Sequence, residues 1–339
     1  MTLSPKTSSD NRFALMQAWL QRCISSPVQD ISPAAADASV RRYWRICFAD
    51  DRRIVMDAPP DGFDFAVFLA QHARLSAANI PVPALYAYDA ELGFALMEDL
   101  GNETLTPLLT LTAAKDWYLQ AIDLLVDMQT QVDATGLPPY DAAFLQRELE
   151  ICREWYFGRQ LGVSLSADAS AVWTRSCALI VARNLEQPTG FVHRDYHSRN
   201  LMVKAGKLRL IDYQDAVLGP LSYDLASLLR DAYIDWDEPF VLDLAIHYWT
   251  VARAAGLALT DDFGEFYQAF EWQGLQRHLK VLGIFARLKF RDGKEQYQAD
   301  IPRVLAYVMK VCERYAELAA LRRLLATLHR EQIATGYTF

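Results

Sequence analysis

The chain has 339 residues, 52% hydrophobic and 22% charged, proportions of a globular protein that exclude a disordered one. That length exceeds one comfortable core, so two lobes are expected. A net charge of −8 argues against nucleic acid or an anionic membrane as a general partner, while leaving room for a local basic pocket.

Residues 12–23 place Phe13, Met16, Leu20 and Cys23 on one side of a helix. Residues 25–39, rich in Pro, Ser and Ala, read as a linker. Residues 40–48 alternate and are rich in β-formers, 50–52 make a turn, and 53–58 form a second strand. A helix follows over 64–80 and ends near Pro81. Short strands at 84–89 and 94–100 are separated by a turn at 90–93. After Gly101 the pattern turns to long helices at 114–132, 141–157 and 167–185. A hairpin through 204–207 comes next, then a helix at 222–233 and helical periodicity to the end. The chain is therefore α+β. Residues 1–100 form a small antiparallel-sheet N-lobe with one main helix and the N-terminal helix, and 101–339 a larger, mostly helical C-lobe.

The five cysteines (Cys23, Cys47, Cys152, Cys177, Cys312) are odd in number and far apart, with no CxxC. They read as buried structural thiols in a reducing compartment. The N-terminal residues lack the basic start and apolar run of a signal peptide, and no stretch approaches the ~20 apolar residues of a membrane span. A cytoplasmic protein is expected.

The chemistry concentrates in FVHRDYHSRNLMV (191–203) and LIDYQDA (210–216). Asp195 and Asn200 stand five positions apart in a loop between apolar runs, and Asp212 ends a strand. Two carboxylates and an amide oxygen form a hard-oxygen set suited to Mg²⁺ and phosphate. The plain alternative is a polar loop that only braces its own turn. The spacings resemble the protein-kinase pair H-R-D-x-x-x-x-N and D-F-G, with Tyr213-Gln214 replacing Phe-Gly. The resemblance implies a bilobal protein-kinase-like fold, ATP as co-substrate, Asp195 as catalytic base, and Asn200 and Asp212 holding Mg²⁺.

Protein kinases follow the metal aspartate with a long activation segment. Here a nine-residue loop leads directly into SYDLASLL, which carries Asp224. This resembles the aminoglycoside phosphotransferase and choline kinase superfamily, and implies a small-molecule hydroxyl as acceptor, with His193 and Asp224 supporting the catalytic loop. DASVRRYWRI (37–46), IVMDAPP (54–60), FALMEDLG (94–101), the two stretches above and GLQRHLKVLGIFARL (274–288) further resemble the bacterial N-acetylmuramate/N-acetylglucosamine anomeric kinases. That likeness implies phosphorylation of the C1 hydroxyl of amino sugars in peptidoglycan recycling, the product passing to a uridylyltransferase.

The nucleotide lobe departs from the kinase pattern. No G-x-G-x-x-G is present; residues 36–39 occupy that turn, where backbone amides and Ser39 would donate to phosphate. Met56 or Asp57 stands where the phosphate lysine belongs, and Asp57 would repel phosphate unless paired. Arg41, Arg42, Arg45 and Arg53 are the compensating candidates, with Arg41 and Arg45 on one strand face and Arg42 on the other. Arg42 is the residue expected to replace the lysine. Adenine is expected beside the backbone of Met97, Glu98 and Asp99.

Tyr196, His197, Arg199 and Gln214 flank the catalytic groups and are expected to touch the acceptor. Trp117, Trp155, Tyr156, Tyr213, Trp236 and Trp272 suit sugar faces but read mainly as core. DAYIDWDE (231–238) would receive a cationic aminoglycoside, whereas Arg277, His278 and Lys280 of QRHLK would meet an anion such as the lactyl carboxylate of N-acetylmuramate. A solvated helix-to-helix turn is the alternative for the first, and a solvated helix face for the second. An aminoglycoside phosphotransferase is the second reading of function, and a non-catalytic nucleotide or sugar sensor the third.

Overall fold

The computed structural model describes residues 5–36 and 41–336. The chain forms two compact units. The first comprises residues up to Glu103 together with Met202–Gln214, and the second Thr104–Leu201 with Asp215 onward.

The first unit opens with α1 (Pro5–Cys23), β1 (Asp30–Ala36), β2 (Arg42–Cys47), β3 (Arg52–Asp57), α2 (Phe65–Ala77), β4 (Leu85–Asp89) and β5 (Phe94–Glu98). Its five strands are antiparallel in the order β1-β2-β3-β5-β4. The expected linker at 25–39 is corrected here, since Asp30–Ala36 pairs with β2 as an edge strand. Pro33 tolerates this because it lies at the sheet edge, where the register shifts before Ala35. Met16, Trp19 and Leu20 of α1 bury one sheet face against Ile46, Val55, Phe94 and Leu96. Gly93, at φ +75°, closes the β4–β5 turn; a Cβ there would meet the Ala58 carbonyl oxygen at 2.0 Å.

The second unit runs through α3 (Ala114–Gln131), α4 (Ala142–Ile151), a π-helical segment (Cys152–Gln160), α5 (Ala167–Leu185) and β6 (Thr189–Val192). The chain then rejoins the first unit through β7 (Leu201–Lys204) and β8 (Lys207–Leu210). Ala205 and Gly206, at φ +51° and +73°, form their tight turn. This segment is tied down by Val203 N–H on Glu103 O and Leu210 N–H on Pro81 O, both 2.8 Å. Beyond it, β9 (Val217–Pro220) pairs antiparallel with β6 inside the stretch expected to be loop. The helices α6 (Ser222–Leu229), α7 (Glu238–Ala254), α8 (Phe263–Asp292), α9 (Ile301–Arg314) and α10 (Ala319–Gly336) follow.

Side chains at the starts of α2, α4, α5, α7 and α8 cap exposed backbone N–H groups: Asp64, Asp141, Ser166, Asp237 and Asp262. The hub is α8, buried on all sides from Phe270 to Gly283. Gly283 lets its backbone reach α4: a Cβ there would lie 2.5 Å from the Ile151 carbonyl. At that point the expected single helix 141–157 changes pitch, and Leu161 N–H reaches back five residues to Tyr156 O. All five cysteines are free; Cys152, Cys177 and Cys312 are buried, but Cys23 is exposed, unlike the expected core thiol. Among the described residues no helix is long and apolar enough to cross a membrane.

Candidate active site

In the second unit, the loop after β6 is built around one buried carboxylate. Asp224, fully buried on α6, accepts the backbone N–H groups of His193 at 2.7 Å and Arg194 at 3.0 Å. These bonds hold Arg194 at φ +77°, a left-handed conformation costly for a side-chain-bearing residue. Burial pushes Asp224 up to about 7, with Asp195 adding to the rise; the two N–H donors and Arg277 oppose it. His193 Nδ1 accepts the Asp195 N–H at 3.2 Å. Asn200 Nδ2 and the His197 N–H both donate to the Asp195 carbonyl at 3.0 Å. The loop is thus a rigid frame that turns the Asp195 carboxylate away from its own backbone bonds.

Among the described residues that carboxylate accepts no hydrogen bond. Burial alone would raise its pKa, but Lys280, His197, Arg277 and Arg194 outweigh burial and hold it below the ordinary range. An ionised, unoccupied carboxylate in a cationic surround is suited to accept a proton from a hydroxyl.

Two parts of this frame carry no local sequence signal. Glu148 of α4 is 3% exposed and is held by Arg194 at 2.6 Å, Lys280 at 2.7 Å, Gln276 at 3.1 Å and the Tyr140 hydroxyl. Burial opposes its ionisation, yet the two cations bring it down to about 2. Asp231, also buried, accepts the Ser198 N–H and hydroxyl at 3.1 and 2.6 Å. The only advance sign was Arg194 itself, a cation between apolar runs that needs a carboxylate from somewhere.

Tyr196 corrects an expectation: fully buried, with its hydroxyl on the Ala121 carbonyl at 2.7 Å, it is a core residue and not an acceptor contact. His197 is half-buried and packs edge-on to Tyr233 at 5.5 Å, and the exposed Arg199 lies over the same ring at 3.4 Å. The acidic run 231–238 is spent internally. Asp231 braces Ser198, Asp235 accepts from Tyr307, Asp237 caps α7, and Glu238 holds Arg230 at 2.7 Å and Lys310 at 2.5 Å. It is not a bare receptor for a cation.

The remaining candidates lie in the first unit. Asp212, at φ +65°, accepts Arg41 at 2.6 Å and Gln214 Nε2 at 3.0 Å through the same oxygen, Oδ1. Tyr213 anchors the turn by stacking on Phe68 at 5.7 Å and sharing a hydrogen bond with His72 at 2.9 Å. Burial holds that histidine below its usual pKa and hence neutral. Asp57 is fully buried, and Arg12 and Arg42 both hold it, Arg42 at 2.5 Å. The repulsion expected of an aspartate in this place is thereby neutralised. Arg45 is bound to Asp99 at 2.7 Å, and Arg53 to Asp51 at 2.9 Å. Glu98 takes Lys204 and Arg209 at 2.8 and 2.5 Å, and Met97 is buried. The side chains of Glu98 and Asp99 are therefore committed to ion pairs. Ser39 lies outside the described residues.

Each unit offers an oxygen donor of the kind Mg²⁺ takes. Asn200 spends its amide nitrogen on the loop, which leaves its oxygen as a ligand, and Asp212 keeps Oδ2 free of protein partners among the described residues. No cluster of three or more His, Cys, Asp or Glu suited to a metal occurs among the described residues.

The model of the phosphotransferase enzyme family (APH) matches residues 30–257, and the chain belongs to that family. It is accordingly a kinase. Over 330 residues it is 46% identical to the N-acetylmuramate/N-acetylglucosamine kinase of Neisseria meningitidis serogroup B, covering 96% of this chain and 98% of that one. The protein of the same name from Pseudomonas aeruginosa is 42% identical over 95% and 98% of the two chains. Choline kinase LicA from Streptococcus pneumoniae shares the fold, with a TM-score of 0.63 at 13% identity over 88% of this chain and 99% of that one.

Proposed function

We propose that the enzyme uses ATP to phosphorylate the C1 hydroxyl of N-acetylmuramate and N-acetylglucosamine. The observation that carries this reading is 46% identity across nearly the full length of a relative so named. The internal use of the acidic run removes the feature that favoured a cationic antibiotic as acceptor.

In this reading Asp195 takes the proton of the C1 hydroxyl while that oxygen bonds to the γ-phosphorus and the bond to the β–γ bridging oxygen breaks, releasing ADP. An anomeric hydroxyl is more acidic than an ordinary alcohol, so an ionised aspartate suffices as base. Asn200 and Asp212 would hold Mg²⁺, which supplies charge neutralisation on the β- and γ-phosphates. Asp224 and His193 keep the loop in register. The backbone of Met97–Asp99 reads adenine, and Arg42, exposed on one side of its pair with Asp57, stands in for the missing lysine. His197 and Arg199 line the acceptor side; Gln214 positions Asp212. The sugar 1-phosphate is the substrate class consumed by a uridylyltransferase, which fits peptidoglycan recycling.

Acceptors blocked at C1 test this reading. The free sugars should consume ATP one for one, and their methyl glycosides should be inert. Turnover of the glycosides, or of a kanamycin-type compound with both sugars inert, would refute it.

A further inference from the structure

Three basic residues of α8, Arg277, His278 and Lys280, lie within one helical turn, and the structure commits two of them. His278 Nε2 bonds the Arg230 carbonyl at 2.9 Å, and burial lowers its pKa to about 3, so it is neutral. Lys280 is fixed by Glu148 at 2.7 Å and the Tyr223 hydroxyl at 3.2 Å. Arg277 is different. It is 4% exposed, has no ion pair or hydrogen bond among the described residues, and its Nη1 is wholly enclosed without a partner. That nitrogen has lost water and gained no carboxylate, a costly state for one arm of a guanidinium.

Its neighbours show where the missing partner would come from. The charge of Arg277 acts on Asp195, Asp224 and Tyr233. Asp224 has both oxygens engaged by backbone N–H groups, and no oxygen of Asp195 comes within ion-pairing distance of Arg277. Tyr233 is flanked by His197 and Arg199, the two loop residues that follow Asp195 most openly. Among the described residues Arg277 is thus a buried cation without a carboxylate partner, close enough to Asp195 and Tyr233 for its charge to act on both.

We infer that Arg277 is a specificity residue that pairs with the carboxylate of an acidic acceptor, the lactyl group of N-acetylmuramate. This rests on the function proposed above. N-Acetylglucosamine lacks that carboxylate and would leave the guanidinium unpaired. Loss of Arg277 should slow both sugars, since it also helps hold Asp195 ionised, but should add a further loss on N-acetylmuramate alone.

The test measures kcat/KM for both sugars in the wild type, Arg277→Gln and Arg277→Lys. The ratio of N-acetylmuramate to N-acetylglucosamine should fall at least ~10-fold in Arg277→Gln and recover partly in Arg277→Lys, as for a removed charge-assisted contact. An unchanged ratio overturns the inference. Should the variants fail to fold, the wild type alone decides: it should prefer N-acetylmuramate to its neutral methyl ester by a similar factor, and equal rates overturn the inference. A wild type that turns over neither sugar refutes instead the reading on which this rests.

Discussion

Asp195 is the residue on which the chemistry is placed, and its setting is unusual for a carboxylate: caged by its own loop, surrounded by cations, yet accepting no bond among the described residues. Asp195→Asn should lower kcat by about 10³-fold with a much smaller loss of stability, since no hydrogen bond among the described residues ends on that carboxylate and only the surrounding cations lean on its charge. A loss of stability in proportion to activity would mark it as structural. Arg42 makes a second residue-scale case. If it stands in for the lysine, Arg42→Ala should raise KM for ATP roughly 10-fold while leaving KM for the sugar nearly unchanged. Equal effects on both would mean that it serves only to neutralise Asp57. Glu148 gives a pH prediction. Burial opposes its ionisation, but Lys280 and Arg194 depress its pKa from 4.5 to about 2, so its contribution is present above pH 4.5 and disappears as pH falls toward 2. Glu148→Gln leaves two buried cations unpaired, should cost about 3 kcal/mol at neutral pH, and should flatten that acid limb in thermal melts. An unchanged acid limb would count against the pairing.

At the scale of elements, the helices and four of the five sheet strands were legible because their apolar spacing and Pro or Gly punctuation are local signals. The fifth strand, β1, was hidden by Pro33 and its small neighbours; only pairing with β2 reveals that the proline occupies an edge. The helix expected over 222–233 stops at Leu229, since Asp231 leaves the helical path to hold Ser198. The change of pitch after Ile151 was equally out of reach, because its cause, Gly283, stands on a helix far along the chain. That contact is testable. Gly283→Ala forces a methyl group into the Ile151–Cys152 backbone and should cost about 2 kcal/mol, read as a lowered melting temperature. No shift would show that the two helices part easily.

At the scale of the molecule, the chain leaves the first unit at residue 103, returns for 202–214 and leaves again. Asn200 and Asp212, twelve positions apart, consequently belong to different units, which a single cut at residue 100 could not express. The loop motif was readable because Asp195, Asn200 and Asp212 sit at fixed spacing in one short stretch. The supports were not: Glu148 carries no sign on its helix, and Arg41 and Lys280, read as contacts for phosphate and for an anion, instead hold Asp212 and Glu148. Likewise, composition and periodicity are silent on the acceptor; that reading rests on resemblance, and on relatives nearly as long as this chain. The most direct test of it is the phosphorus NMR spectrum of the product formed from ATP and N-acetylglucosamine. Phosphate on C1 couples to the single anomeric proton, and the account predicts that doublet. A triplet from coupling to the two C6 protons would contradict it.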